Sequence, residues 1–205
     1  MSIPAEAPLS AVVLCGGAGE RMEGADKPLR PLLGQPLIER TLRCLRPQVA
    51  HIVLVANRTP QRYAAYGAVV VDDGALRGRG PLAGIAAGLA VAPDEWVLSL
   101  PGDAPLLPPD LAARLRRALL REQAEIAIVH DGRGRQPLCS LLPRRLLPEL
   151  REFLAGGDTT PRNWQRRYRC AEADCSDWPQ WAWSLNTPEE WSYAEAQLRL
   201  RGEAA

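Results

Sequence analysis

Four short, largely apolar runs, each stopped by glycine or polar residues, set the strongest limit on what this chain can fold into. Ala11-Val-Val-Leu-Cys15 runs into Gly16-Gly17, and Ile52 to Ala56 runs into Asn57-Arg58. Val69 to Val71 ends at Asp72-Asp73, and Trp96 to Leu100 ends at Pro101-Gly102-Asp103. Runs this short with no polar alternation read as strands covered on both faces. Helix-period segments separate them: Leu37 to Leu45, stopped by Pro47, and Pro81 to Val91, apolar nearly all round. Strands alternating with helices predict a three-layer α/β/α arrangement on a mostly parallel sheet.

The later sequence extends this pattern. Asp110 is expected to cap a basic amphipathic helix running to about Gln123. Ile126 to Val129 and Pro137 to Leu142 read as strands joined by the turn Asp131-Gly-Arg-Gly134. Leu146 to Leu154 and Pro161 to Tyr168 read as helices. Thr187-Pro188-Glu189-Glu190 is a helix start, with Thr at the cap, Pro at the first position and Glu at the third. A terminal helix is expected from there to about Arg199. No repeat or linker interrupts the 205 residues, so one domain over 1–205 is expected.

Composition excludes some classes of function. The 25 basic and 24 acidic residues leave a net charge of +1, which argues against a general nucleic-acid or membrane-surface binder. No apolar run is long enough for a membrane helix, and Met1 to Ser10 lacks the form of a secretory signal. Cys15, Cys44, Cys139, Cys170 and Cys175 form no C-x-x-C pair, so zinc and thioredoxin-type chemistry lack their signatures. Each is read as a small buried hydrophobe in a reducing, cytoplasmic setting. Lys27 is the only lysine among the 25 basic residues. Genomic nucleotide bias accounts for the arginines. A lysine kept against it suggests a site needing a compact ammonium, not a planar fork.

In open α/β sheets ligands bind beyond the carboxyl ends of the strands, where the four polar strand ends should converge. The loop Gly16 to Lys27 combines glycines, whose amides can approach an anion, with Arg21 and Lys27. It reads either as a polyphosphate cradle or as a glycine-rich turn with solvated charges; it is neither a Walker A nor a G-x-G-x-x-G sequence. Asp103, enclosed by Pro101 and Pro105, is placed either to hold Mg²⁺ or to cap the next turn. Asp72 and Asp73 face the same choice. His51 and His130 have no partner pattern and read as incidental. Trp178, Trp181 and Trp183 fit a core or interface better than ligand stacking.

Taken in order, these segments resemble the molybdenum cofactor guanylyltransferases, the MobA-type nucleotidyltransferases. That family opens with L-A-G-G-x-S-x-R-M-G-x-x-D-K, and here Leu14 to Lys27 reads LCGGAGERMEGADK. Further matches are Gly34-Gln-Pro-Leu37, Ala56-Asn57-Arg58, the Asp72 strand end, Gly80-Pro-Leu-Ala-Gly84, Pro101-Gly-Asp-Ala-Pro105, Arg135-Gln-Pro-Leu138 and Asn186-Thr-Pro-Glu-Glu190. The likeness departs at Cys15 (family Ala), Gly19 (Ser), Glu23 (Gly), Gly102 (Cys) and Ser184 (Asn). The last of these falls in the region expected to meet the pterin.

The resemblance implies a Rossmann-like nucleotidyltransferase fold and transfer of GMP from GTP to the terminal phosphate of molybdopterin. Pyrophosphate would be released and the guanine dinucleotide cofactor formed. It places the nucleotide site on Leu14, Cys15, Gly16, Gly17, Lys27, Asn57, Asp72 (or Asp73), Gly80 and Asp103. Asp103 would be the Mg²⁺ ligand; Lys27 and Arg21 would stabilise the pyrophosphate and the developing charge. Residues 10–105 or so would form the GTP-binding part and about 106–195 the pterin-acceptor side. Molybdoenzymes or their chaperones would be further partners. The alternatives are a cytidylyltransferase acting on the same pterin, and a non-catalytic nucleotide-binding or cofactor-delivery module.

Overall fold

The computed structural model describes residues 3–15, 26–66, 69–72, 74–179, 183 and 185–202. Its centre is a seven-stranded sheet ordered β5-β4-β1-β6-β8-β7-β9. The strands are β1 (Leu9–Leu14), β4 (His51–Val55), β5 (Val69–Val71), β6 (Trp96–Pro101), β7 (Ile126–His130), β8 (Arg135–Pro143) and β9 (Cys170–Asp174). A two-stranded ribbon, β2 (Pro31–Leu32) with β3 (Gln35–Pro36), lies outside it. β1 pairs in parallel with β4 and β6, with Ala11 opposite both Ile52 and Leu98. Within the sheet only β8 runs against the rest, because the tight β7–β8 turn reverses the chain. Asp131 builds that turn: its Oδ1 accepts from the amides of Arg133 at 2.9 Å and Gly134 at 2.8 Å.

Alternation along the buried strands sorts side chains into two layers. Ala11, Val13, Leu54, Leu98 and Leu100 pack with α1 (Leu37–Leu45) and α4 (Leu111–Glu122). Val12, Val53, Val55 and Val97 pack with α3 (Pro81–Val91) and α5 (Leu147–Ala155). Each fully buried leucine or valine contributes about 1.5–3 kcal/mol. Gly88 lets α3 settle on β1, since a Cβ there would meet Val12 Cγ1 at 2.3 Å. The last helix, α7 (Pro188–Leu200), forms a third cluster in which Trp191, Ala194 and Leu198 meet Leu32 and Leu37. It starts with the expected capping box between Thr187 and Glu190.

The structure corrects some local readings. Asp110 occupies the cap position of α4 but does not cap. Its backbone (φ −117, ψ 21) lies outside the extended region of cap residues, and its carboxylate instead takes the Arg114 Nε at 2.8 Å. The helix expected over Pro161–Tyr168 ends as α6 (Pro161–Gln165), after which the Arg167 and Tyr168 amides make three-residue turn bonds. β9, the β2–β3 ribbon and α2 (Pro60–Ala64) went unread in the sequence. Cys15, Cys139 and Cys175 are buried with free thiols, while Cys44 and Cys170 are half-buried. Trp183 is a core residue and Trp178 packs against the same cluster; Trp181 lies outside the described residues.

Candidate functional site

Parallel pairing puts the carboxyl ends of β1, β4, β5 and β6 on one edge of the sheet. The ladder continues one residue past the strands. Cys15 N donates to Val55 O at 2.8 Å, Ala56 N to Val71 O at 2.8 Å, and Gly102 N to Leu14 O at 2.9 Å. The residues that follow each strand therefore start from fixed positions. Leu14 is buried beneath this edge, with its carbonyl committed to Gly102.

Lys27 and Asp103 meet here. The Lys27 Nζ lies 2.5 Å from Asp103 Oδ2, with side-chain exposures of 25% and 19%. Lys27 opens a short 3₁₀ turn, Lys27–Leu29, where Pro28 fixes the backbone. Lys27 Nζ also donates to Asn186 Oδ1 at 3.1 Å. Asn186 lies just before α7, where the Glu190 carboxylate accepts from the amides of Asn186 and Thr187. The capping box thus holds Asn186 against Lys27. Asn186 stood within a sequence match but had no role assigned; a polar residue beside a complete cap signature was the available signal.

Cys15 and Gly102 share one small space. A Cβ on Gly102 would lie 3.1 Å from Cys15 Sγ and 3.1 Å from Leu14 O. The two departures at these positions compensate in volume, a larger residue at 15 opposite a smaller one at 102. Burial pushes the Cys15 thiol well above its ordinary value, and the nearby Asp26 and Asp103 charges raise it further. It is a packing group, not a thiolate nucleophile.

Asn57 and Asp72 follow the neighbouring strands β4 and β5 on the same edge. The Asn57 carbonyl accepts from Arg77 Nη2 at 2.5 Å, which ties the end of β4 to the turn Gly74–Leu76. Asp72 Oδ1 accepts from Gly74 N at 2.8 Å, so this carboxylate shapes that turn. It also stands on the rim of an open groove of about 840 Å³ lined by Val71, Leu76, Ala87 and Arg151. Gly80, with φ +71, turns the chain into α3, and Thr159 lies 3.8 Å from where its Cβ would be. Gly16, Gly17, Arg21 and Asp73 lie outside the described residues. His51 Nδ1 pairs with Asp94 at 2.9 Å, and His130 Nδ1 accepts from Gly132 N at 3.2 Å.

This arrangement suits a polyphosphate: one ammonium and one carboxylate face each other at a strand edge. Mg²⁺ usually takes only one or two protein carboxylates, with phosphate oxygens and waters completing its shell. Among the described residues no group of three His, Cys, Asp or Glu side chains is placed to hold a metal. Asp103 is a residue that could hold such an ion beside a triphosphate.

Comparison with known proteins agrees with this geometry. Residues 11–172 match the MobA-like NTP transferase domain. A molybdenum cofactor guanylyltransferase of Photobacterium profundum is 42% identical over 188 residues, covering 92% of this chain and 96% of that protein. One from Shewanella sediminis is 38% identical over 182 residues, covering 89% and 93%. The solved molybdopterin-guanine dinucleotide biosynthesis protein A of Archaeoglobus fulgidus superposes with a TM-score of 0.75 at 22% identity, covering 94% of this chain and 99% of that one. The 2-C-methyl-D-erythritol 4-phosphate cytidylyltransferase of Thermus thermophilus gives 0.68 at 18% identity, covering 97% and 100%. At those identities the two structures establish the fold: mostly parallel, with strands and helices in the nucleotidyltransferase arrangement.

Proposed function

The chain belongs to the MobA-like NTP transferase family, and we propose that it is a molybdenum cofactor guanylyltransferase, moving GMP from GTP to the terminal phosphate of molybdopterin. The observation that carries this reading is the Lys27–Asp103 pair, a cation for phosphate beside a carboxylate for a divalent ion, at the edge where β1 and β6 end.

In the reaction an oxygen of the molybdopterin phosphate forms a bond to the α-phosphorus of GTP. The bond from that phosphorus to the bridging oxygen breaks, and pyrophosphate leaves with its electrons. The nucleophile is already an ionised phosphate, so no general base is needed. Catalysis rests on alignment and charge neutralisation. Lys27 turns from Asp103 to the triphosphate and offsets the charge developing on the leaving group. Arg21 and the Gly16-Gly17 amides have the chemistry to share that work. Asp103 would hold Mg²⁺, which when bound supplies further neutralisation of the phosphates. Asn186 orients the Lys27 ammonium from the acceptor side, so the nucleotide part (residues 10–105 or so) and the acceptor part (about 106–195) meet at this contact. A cytoplasmic setting, where thiols stay reduced, belongs to the same reading.

The test is direct. Purified protein is incubated with molybdopterin, Mg²⁺ and either GTP or CTP, and dinucleotide product and pyrophosphate are quantified. Guanine dinucleotide formed with GTP, at least tenfold faster than any cytosine product, is expected. Preference for CTP would move the protein to the cytidylyltransferase branch. GTP binding without pyrophosphate release would mark a binding module.

A further inference from the structure

Asp26, immediately before Lys27, is gripped from the other side of the site. Tyr63 Oη donates to Asp26 Oδ1 at 2.7 Å, and Thr59 Oγ1 donates to Asp26 Oδ2 at 3.0 Å. Both carboxylate oxygens are thereby engaged by α2 and the residue that begins it. Hydrogen bonds from neutral donors to a charged acceptor are among the stronger ones in proteins.

Four features mark this grip. Thr59 stands at the cap position of α2, but its hydroxyl does not cap the helix. A Thr cap is ordinarily worth about 1 kcal/mol, and here the donor is turned to Asp26 instead. Thr59 is also left-handed, with φ 44, a conformation that β-branched residues rarely adopt. Tyr63 is buried within the core, and its hydroxyl lies 2.7 Å from Asp26 Oδ1 and 3.4 Å from the Cys15 carbonyl, so Asp26 is its nearer acceptor. Burial and the adjacent Asp26 charge hold that phenol protonated, far above its ordinary range, so it remains a donor. Asp26 does not serve its own turn either: its side chain makes no cap bond to Lys27–Leu29.

The connectivity gives these bonds a purpose. Thr59 lies two residues after Asn57 on the loop that ends β4, and Asp26 lies one residue before Lys27. The carboxylate therefore ties the Lys27 turn to the Asn57 loop, setting the spacing between two candidate nucleotide contacts. We propose that Tyr63 and Thr59 are positioning residues which, through Asp26, hold Lys27 in register with Asn57 for a nucleoside triphosphate. The assignment rests on the nucleotidyltransferase reading and specifies how its ammonium is placed.

The experiment uses Tyr63→Phe, which keeps the buried ring, and Thr59→Val, an isosteric change at an exposed position. GTP affinity is measured by calorimetry, kcat and both KM values by guanylyl transfer, and folding by thermal melting. Each variant should lower kcat/KM for GTP about tenfold, the size of one charged hydrogen bond, with KM for molybdopterin within about twofold. Adding Tyr63→Phe to Asp26→Ala should cost nothing further, because the tyrosine acts through that carboxylate. Unchanged GTP parameters in both single variants, or fully additive losses in the double variant, overturn the proposal. Equal loss toward both substrates that tracks the melting temperature also overturns it, as a merely structural role. Wild-type protein that does not bind GTP would instead sink the nucleotidyltransferase reading itself, and this assignment with it.

Discussion

The Lys27 ammonium and the Asp103 carboxylate neutralise one another across the ends of β1 and β6, Nζ to Oδ2 at 2.5 Å. Removing either should cripple turnover without unfolding the chain, since both are partly exposed and neither belongs to a hydrophobic cluster. Lys27→Ala and Asp103→Ala are each expected to cost about 2.7–4 kcal/mol of barrier, or 10²–10³ in kcat. Circular dichroism should be unchanged. Near-normal guanylyl transfer by either variant would remove that residue from the mechanism.

The same pairing makes the two charges competitors for ligand. In wild-type protein without Mg²⁺, Asp103 holds the ammonium that the proposed GTP site would use. Asp103→Asn should therefore bind metal-free GTP more tightly than wild type, by roughly threefold to tenfold for one screened pair. Addition of Mg²⁺ should tighten GTP binding in wild type and do little in the variant. Calorimetric titration with EDTA or Mg²⁺ reads both effects. Weaker metal-free binding by Asp103→Asn would contradict this account.

Packing beneath the site gives a separate test. Gly102→Cys adds a Cβ that would lie 3.1 Å from both Cys15 Sγ and Leu14 O. Overpacking of this kind typically costs about 1–3 kcal/mol. Cys15→Ala alone should leave a small void, and Cys15→Ala with Gly102→Cys should recover at least half of the loss. Urea midpoints measure this. Strict additivity of the two changes would show that the residues do not share the space.

Alkaline pH should destabilise the fold through its buried thiols. Burial raises Cys175 from 9.0 to about 11. As pH rises above 9 the unfolded chain releases this proton while the folded chain keeps it. The folded state then binds more protons, and stability falls with increasing pH across the window from 9 to 11. Urea midpoints at pH 8 and 10 should show the drop, with Cys175→Ala making it shallower while Cys15 and Cys139, also raised by burial, still contribute. An unchanged slope in that variant would assign the effect elsewhere.

Much of the sheet was legible because β1, β4, β5 and β6 are apolar without alternation, a pattern that few other elements share. β9 was not legible. Its sequence Cys-Ala-Glu-Ala-Asp carries charges and no β-branched residue; its pairing with β7 comes from the sheet edge next to it, not from local preference. The two-residue strands β2 and β3 are joined by the left-handed turn Leu33-Gly34 (φ 52 and 78), and Leu32 packs against α7. At the site, Lys27 and Asp103 could be named from composition and strand ends. Tyr63 could not, because a tyrosine in an unremarkable segment reads as core, and only the fold reveals that its hydroxyl reaches residue 26. Asp110 went the other way: a cap by sequence, but Arg114 on the same helix offers its carboxylate a charged donor.

The contact between Lys27 and Asn186 spans 159 residues of chain. All seven strands of the central sheet are complete by Asp174, before Asn186 is reached. A nascent polypeptide still threaded through the ribosomal tunnel could assemble its sheet and bury both main layers while its ammonium lacked the amide that orients it. In order of synthesis the orienting amide thus follows the whole sheet, and the proposed ammonium site is completed after the scaffold that carries it.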